Sequence, residues 1–460
     1  MTTPAQPDLA RFDVVVMGGG IAGLSAAAWC ADNDVSCLLV EKQPALGGTT
    51  AMSGGWFAFS DTDEQRARDI HDSDELFVAD MLEASGGSAD PVLLEALARE
   101  QHETYAWMRR AGLSFDVVKI SSGQSVARSH YCAIDTVLDA LTKLVEGAPH
   151  VAVVTDTAVV DLIEGDRVNG VRLKDATRSY DVRAQGVVLT SGGFTRSPEI
   201  IGRYAPLQVD AMPYGGLGNT GDGIRLAVSR GAALRDMEYV SGTFGTHPET
   251  TIEEHELLTA FYMGAIIVNS DGKRFVDESL SYKTLGTACL EQPGQVAYQV
   301  FDANVRAQSQ PGVPLSDIDH LESKGHVHRA DTLAELAAVA GINTDGLQAT
   351  VDQYNNVVDG LAPDPFSRNG LCNGVGDLLP VRRPPFYAYP CRTMMSSTYC
   401  GVAVDAAGRV LNDAGDRIQG LFAAGEVVGG FHGKAYVTGT ALSKGLIFGR
   451  VAAQQAGGAQ

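Results

Sequence analysis

The first strong pattern is a β-branched run, Val14-Val15-Val16, followed by Gly18-Gly19-Gly20 and then small apolar residues from Ile21 to Ala28. A short apolar run bounded by glycines predicts a buried strand. The small-residue stretch after it predicts a helix lying close against that strand. A second run, Ser36 to Val40, predicts a neighbouring strand that ends at Glu41. From 73 to 112 apolar residues recur at intervals of three and four, as at Leu76, Phe77, Met81, Leu93, Leu94 and Leu97, which predicts helix. Another helix is expected from Asp135 to Glu146. Between 151 and 189 the pattern shortens to strands, the last of which runs into Gly192-Gly193. Asn219-Thr220-Gly221-Asp222-Gly223 then opens a helix from Ile224 to Arg230. From about 236 to 395 the pattern is looser and more polar, with a helix near Thr332 to Ala340 and proline breaks at Pro363, Pro365, Pro384 and Pro385. Gly401 to Asp405 and Gly408 to Leu411 read as a hairpin. Ile418 to Ala424 reads as a buried strand, and Thr440 to Ala453 as the last helix.

The glycine spacing adds chemistry to this pattern. Gly18 permits a sharp turn, Gly20 lets backbone amides approach a ligand, and Gly23 lets the helix pack close to the strand. Together they predict a dinucleotide turn with a pyrophosphate on the helix N-terminus. Glu41 closes the second strand where ribose hydroxyls would lie.

At 460 residues the chain predicts two domains. A net charge of -21 argues against nucleic acid or an anionic membrane surface as partner. The N-terminus lacks a basic segment followed by an apolar core, so no secretory signal is expected. No window has the length of apolar residues that a membrane span needs. A cytoplasmic location follows as the expectation. The seven cysteines are scattered without a C-x-x-C pair, so reduced thiols are expected, with no iron–sulfur cluster, attached haem or metal site.

Four glycine-rich segments carry a more specific signal: Gly18 to Gly23, Gly47 to Gly55, Gly192-Gly193 and Ala424-Gly425-Glu426. In order and content they resemble the cofactor segments of the FAD-dependent fumarate reductase and 3-ketosteroid dehydrogenase flavoproteins. The resemblance implies an α/β fold, with a Rossmann-type FAD-binding domain over 1–235 and 396–460 and an inserted α+β capping domain over 236–395. It implies FAD contacts from Gly18, Gly20, Ile21, Ala22, Gly23, Glu41 and Lys42. Gly47, Gly48, Thr49, Thr50, Ser53, Gly54, Gly55 and Ala158 would follow, then Gly192, Gly193, Asp222, Gly425 and Glu426. Thr440, Ala441 and Leu442 would complete the set from the last helix, whose N-terminus would stabilise the reduced flavin anion. Family members with covalent flavin carry a histidine in or just after the second segment. None lies between Gly47 and Asp69, so non-covalent FAD is expected. There is no second G-x-G-x-x-G in a strand–turn–helix setting, which argues against a built-in NAD(P)H site.

Within this superfamily the fumarate reductases use an arginine proton donor, a Glu–Arg relay, two histidines and a carboxylate-binding arginine. Here the segment Lys273-Arg274-Phe275 with Glu278 leads to Tyr282 at the donor position. Ala260 and Met263 occupy the relay, Thr243 and Ser396 the histidine positions, and Tyr436 that of the binding arginine. The replacements resemble instead the ketosteroid Δ4-(5α)-dehydrogenase branch. There one tyrosine removes a proton α to a ketone, and another, in a Tyr-x-Ser-Gly stretch, polarises the carbonyl. Tyr436-Val437-Thr438-Gly439 matches that stretch with threonine for serine. Tyr282, Tyr436 and Thr438 are thus the expected catalytic set, with His130 and Tyr131 added from an Arg-x-His segment that approaches the substrate in the family. A neighbouring cation, Lys283 or Lys434, would lower a tyrosine pKa from its usual value near 10. Arg128, Lys283, Arg392 or Lys434 would recognise a carboxylate on a ring substrate.

The resulting expectation is an FAD-dependent dehydrogenase that introduces a C=C bond next to the carbonyl of a cyclic ketone, either a 3-ketosteroid or a cyclohexanone-type ring. Dioxygen or an external acceptor would reoxidise it. The alternative is a reductase working in the opposite direction on an enone or unsaturated acid, and a third reading is a redox-sensing or partner-bound flavoprotein.

Overall fold

The computed structural model describes residues 11–240, 242–251, 254 and 256–458. Its largest sheet has eight strands, and the first apolar run lies at the centre as strand Arg11–Met17. That strand pairs in parallel with Cys37–Val40 on one side and Ser179–Leu189 on the other. Parallel strands Val151–Val154 and Arg417–Ala423 extend the sheet, and Arg409–Leu411 closes one edge antiparallel. Central parallel strands are covered on both faces, which explains why Val14 to Val16 and Cys37 to Val40 read as continuous apolar runs.

Two helices run beside each other against this sheet, Ile21–Asp32 and Thr440–Ala456. Their contact depends on small residues. A Cβ on Gly449 would sit 2.2 Å from the Ala22 carbonyl oxygen, and one on Gly445 would sit 2.9 Å from Ile21. Both helices therefore begin at the same end of the sheet.

A second sheet of six strands is built around one long strand, Phe386–Met395. It pairs with Met212–Pro213, Thr243–Thr246, Ala297–Phe301 and His328–Ala330. One core on this side gathers Phe244, Phe261, Leu285, Phe301 and Tyr389, and a second gathers Ile266, Leu336, Leu347 and Tyr354. Tyr436 comes from the C-terminal part of the chain yet packs into the first of these cores with Tyr282. A third, three-stranded sheet joins Trp56–Ala58, Ser129–Tyr131 and Val117–Lys119.

Several element expectations change. The stretch from 73 to 112 is two helices, Asp74–Ala84 and Pro91–Arg110, because Gly86 and Gly87 take positive φ and Asp90 caps a new start. Helix Thr344–Val358 was not expected. It is capped by Asn343 and buries Leu347, Val351 and Tyr354 on one face. The hairpin of 401–411 closes around a bridge between Val404 and Val410, with the Leu411 amide donating to the Ala403 carbonyl and the Asp405 amide to the Arg409 carbonyl, while Gly401–Val402 pairs with Leu234–Arg235. The proposed cap is also not separated cleanly at 236, since Met212–Pro213 already joins its sheet.

Candidate functional site

One cavity of about 530 Å³ is lined by residues that run from the Gly18–Gly20 turn to Tyr282 and Tyr436. Its first end is made mostly of backbone. Gly18 has φ +110°, and a Cβ there would lie 2.5 Å from the Thr190 carbonyl oxygen, so only glycine fits this turn. Helix Ile21–Asp32 starts at Gly20 with no side-chain cap, and Thr440–Ala456 starts the same way at Gly439. Ile21, Ala22, Ala441 and Leu442 line the cavity, so two positive helix ends face it. Glu41 is fixed by accepting the Gly19 and Gln43 amides at 2.8 Å each.

Further along, three separate segments are tied together by side chains. Glu426 accepts hydrogen bonds from Asn219 Nδ2 at 2.8 Å and from the Thr398 amide at 3.0 Å. Thr49 Oγ1 accepts from the Gly216 amide at 3.0 Å and from Asn219 Nδ2 at 3.2 Å. Lys42 reaches across to Thr220 and forms an ion pair with Asp222. Ser53 lies on this wall with a buried hydroxyl oxygen that has no hydrogen-bond partner. A glycine-rich turn, two uncapped helix ends and an orphaned hydroxyl along one long cavity fit a dinucleotide flavin, whose phosphates and ring edges need such donors.

Most of the expected cofactor residues lie on the wall: Gly18, Gly20, Ile21, Ala22, Glu41, Lys42, Gly48, Thr49, Thr50, Ser53, Gly54, Ala158, Gly192, Asp222, Gly425, Glu426, Ala441 and Leu442. Five do not line it but shape the backbone around it. A Cβ on Gly23 would be 1.8 Å from the Gly18 carbonyl oxygen, and one on Gly55 would be 2.3 Å from that of Cys132. One on Gly193 would be 2.0 Å from Thr398 Oγ1, while Gly47 holds φ +109° at the loop start. Thr440 Oγ1 donates to the Val437 carbonyl at 2.6 Å and so tightens the turn before the last helix.

The opposite end of the cavity is walled by side chains, among them Trp56, Leu257, Met394, Tyr282, Tyr399 and Tyr436. The Gly439 amide donates to the Tyr436 oxygen at 2.9 Å. Thr438 Oγ1 donates to the Tyr282 oxygen at 3.2 Å, and the two tyrosine rings are 6.1 Å apart. Tyr399 stacks on Tyr436 at 4.5 Å. Burial raises the pKa of Tyr282 well above its ordinary value, and the neighbouring Tyr436 and Tyr399 add to this. Burial also pushes Tyr436 up to about 12, although the Gly439 and Ala441 amides pull the other way.

Tyr282 is held by a buried scaffold. Arg274 makes two 2.7 Å bonds to Glu278, and it also pairs with Asp364 at 2.6 Å; Arg368 adds a 3.2 Å contact to Glu278. The Tyr282 amide donates to the Tyr262 oxygen at 3.0 Å, and Tyr262 donates to the Leu280 carbonyl. The Lys-Arg-Phe segment therefore fixes the start of helix Tyr282–Leu290.

Other expected site residues are not brought to the cavity. His130 is buried in the small sheet, with its two ring nitrogens at Thr62 Oγ1 (2.8 Å) and the Arg128 carbonyl (2.7 Å); burial lowers its pKa to about 4. Tyr131 packs against Trp56. Arg128 is buried in ion pairs with Asp72 and Asp80, Lys434 is exposed near Tyr239, and Arg392 lies along the long strand away from the wall. The expected cation beside Tyr282 is thus not supplied by Lys434. Lys283 is buried and directed at Thr243 instead. Tyr399 and Asn219 were missed as site residues. Asn219 stood in the recognised turn, whereas nothing local marked Tyr399.

Similarity to known proteins decides which dinucleotide chemistry this is. The model for the FAD binding domain family matches residues 13–442. The chain belongs to that family. Its cofactor is FAD, and it is a flavin-dependent oxidoreductase acting on carbon–carbon bonds. The flavoprotein is 32% identical to a fumarate reductase (cytochrome) of Shewanella frigidimarina, over 96% of this chain and 76% of that one. It is 31% identical to an NADH:fumarate oxidoreductase of Klebsiella pneumoniae, over 97% of this chain and 47% of that one. Among solved structures, a flavocytochrome c3 fumarate reductase in its open conformation superposes with TM-score 0.80 at 28% identity, covering 98% and 79% of the two chains. A 3-ketosteroid-Δ4-(5α)-dehydrogenase from Rhodococcus jostii RHA1 superposes with TM-score 0.78 at 25% identity, covering 99% and 98%. Among the described residues, no helix of the flavoprotein is long and apolar enough to cross a membrane.

Proposed function

We propose that this flavoprotein is a dehydrogenase that introduces a C=C bond α,β to the carbonyl of a cyclic ketone. The observation that carries the reading is the placement of Tyr282, Tyr436 and Thr438 together on the cavity wall at the end away from the dinucleotide turn. Tyr436 accepts the Gly439 amide, so its own phenolic hydrogen remains available to a ketone oxygen. Donation there stabilises the enolate that forms as the α-proton leaves. Tyr282 takes that proton, and the Thr438 hydroxyl on its oxygen stabilises the phenolate state that receives it. FAD in the cavity supplies the hydride acceptor for the β-carbon.

A dicarboxylate fits this wall poorly. Among the described residues lining it the only cation is Lys42, at the nucleotide end and paired with Asp222. At the tyrosine end one buried ammonium, Lys283, stands behind Thr243, so a second buried carboxylate would lack the paired charge that a buried anion needs.

A second reading has its own observation. Burial keeps Tyr282 protonated, which is the state of a proton donor, and this favours reduction of an enone. Anaerobic titration separates the two. Loss of flavin absorbance on adding cyclohexanone or a 3-ketosteroid supports the dehydrogenase. No loss with any cyclic ketone, together with reoxidation of dye-reduced flavin by cyclohex-2-enone, supports the reductase.

A further inference from the structure

Two buried lysines lie near the tyrosine end, and they differ in what they touch. Lys444 donates to the Val428 carbonyl at 3.1 Å and stands over the Phe431 ring. Lys283 is just as buried, but its Nζ donates to Thr243 Oγ1 at 2.6 Å, and Thr243 lines the cavity. The Thr243 oxygen lies 3.4 Å from Ser396 Oγ, also on the wall. An ammonium only donates, so it occupies the threonine oxygen as acceptor and leaves the threonine hydrogen free to point elsewhere. Lys283 Nζ also sits 4.5 Å over the face of Tyr399, the ring that stacks on Tyr436. One aromatic ring thus touches both the cation and the tyrosine that would hold a ketone.

These two flanks differ in charge. Tyr436 offers a neutral phenol and suits an uncharged carbonyl. Thr243 and Ser396, backed by Lys283, offer hydroxyl donors with positive charge behind them, which suits a carboxylate oxygen. One cationic position and one neutral position match a substrate with one carboxylate and one ketone.

We propose that Lys283, Thr243 and Ser396 form an anion subsite, and that the preferred substrate is a cyclic keto acid whose carboxylate binds there while Tyr436 takes the ketone oxygen. This rests on the ring-ketone reading above. Burial pushes the Lys283 amine down to about 7, while the charge of Glu426 works in the opposite direction. Tyr399 and His432 also face it, and Lys444 acts on His432. A bound carboxylate stabilises the ammonium form, so binding above about pH 7 takes up a proton.

Two measurements on the holoenzyme test this. The first compares kcat/KM for 4-oxocyclohexanecarboxylate and cyclohexanone with an artificial acceptor. The acid is expected to be favoured by roughly a hundredfold. Lys283→Met should bring the ratio close to one, and Thr243→Val should lower it by a smaller factor. The second is calorimetry of cyclohexanecarboxylate and cyclohexanol at pH 8 in two buffers of different ionisation enthalpy. Proton uptake is expected with the acid and not with the alcohol. It uses the wild-type protein, so it decides the matter even if Lys283→Met does not fold. Equal kcat/KM for the two ketones, or acid binding without proton uptake, would overturn the subsite. If neither ketone reduces the flavin but the acid still binds with proton uptake, the subsite stands and the ring-ketone reading fails.

Discussion

The two ends of the cavity are built from different materials. At the nucleotide end, shape comes from backbone: Gly18 at positive φ, Gly23 against the Gly18 carbonyl, and two helices that begin without side-chain caps. At the other end, shape and chemistry come from side chains delivered by distant segments, with Tyr282 from a helix start, Tyr399 after the long strand, and Tyr436 with Thr438 from the last turn. Backbone recognition is indifferent to what the enzyme transforms, so relatives with different reactions can share it. Side chains that face the reacting part of the substrate set the chemistry and can differ between such relatives. A shared nucleotide end is thus compatible with a chain that is 32% identical to a fumarate reductase and whose other cavity wall carries Tyr282, Tyr399 and Tyr436.

The comparison predicts that the two ends fail differently. Gly23→Ala should have the largest effect. Its Cβ would fall 1.8 Å from a carbonyl oxygen, so the strand–helix turn cannot close, and no FAD-containing protein should be recovered. Purification with a normal flavin-to-protein ratio would contradict the packing role given to this glycine.

The side-chain end should respond to pH without losing cofactor. If Tyr282 accepts the α-proton, its phenolate is the active form, and burial has moved that form to high pH. Dehydrogenation should therefore rise up to tenfold per pH unit, with no plateau below about pH 10. A plateau near neutral pH would assign the base to another group. The reverse reaction, which uses the protonated phenol, should be flat over the same range.

A smaller effect separates His130 from the chemistry. Its folded pKa of about 4 lies below the ordinary histidine value near 6.5. The unfolded chain binds the extra proton between these limits. Stability is thus fully present above about pH 6.5 and falls by about 1.4 kcal/mol per pH unit toward pH 4 from this group. His130→Gln should flatten that slope in denaturant melts while leaving turnover near wild type. A large loss of turnover would return His130 to the site.

Much of the nucleotide end was legible in the sequence, because glycine spacing encodes backbone geometry directly. The strands of the large sheet were legible for a similar reason, since burial on both faces writes an unbroken apolar run. Tyr282 and Tyr436 could be located through their neighbours, Lys273-Arg274-Phe275 and Thr438-Gly439. What was not legible depends on partners far away in the chain. Arg128 looked like a substrate cation, yet Asp72 and Asp80 hold it in the interior. Tyr399 had no local signal, because its place beside Tyr436 is set by the path of Phe386–Met395 through the second sheet. Helix Thr344–Val358 did carry a signal, with Leu347, Val351 and Tyr354 on one face behind the Asn343 cap.

On the ring-ketone reading, tyrosines and not charged groups carry the chemistry, on a flavin held independently of them. Anaerobic stopped-flow tests it most directly, by following flavin absorbance after mixing with a cyclic ketone in the wild type, Tyr282→Phe and Tyr436→Phe. A full FAD spectrum is expected in all three proteins, with flavin reduction slowed at least about a hundredfold in each variant. Reduction at near wild-type rates in both variants would contradict it.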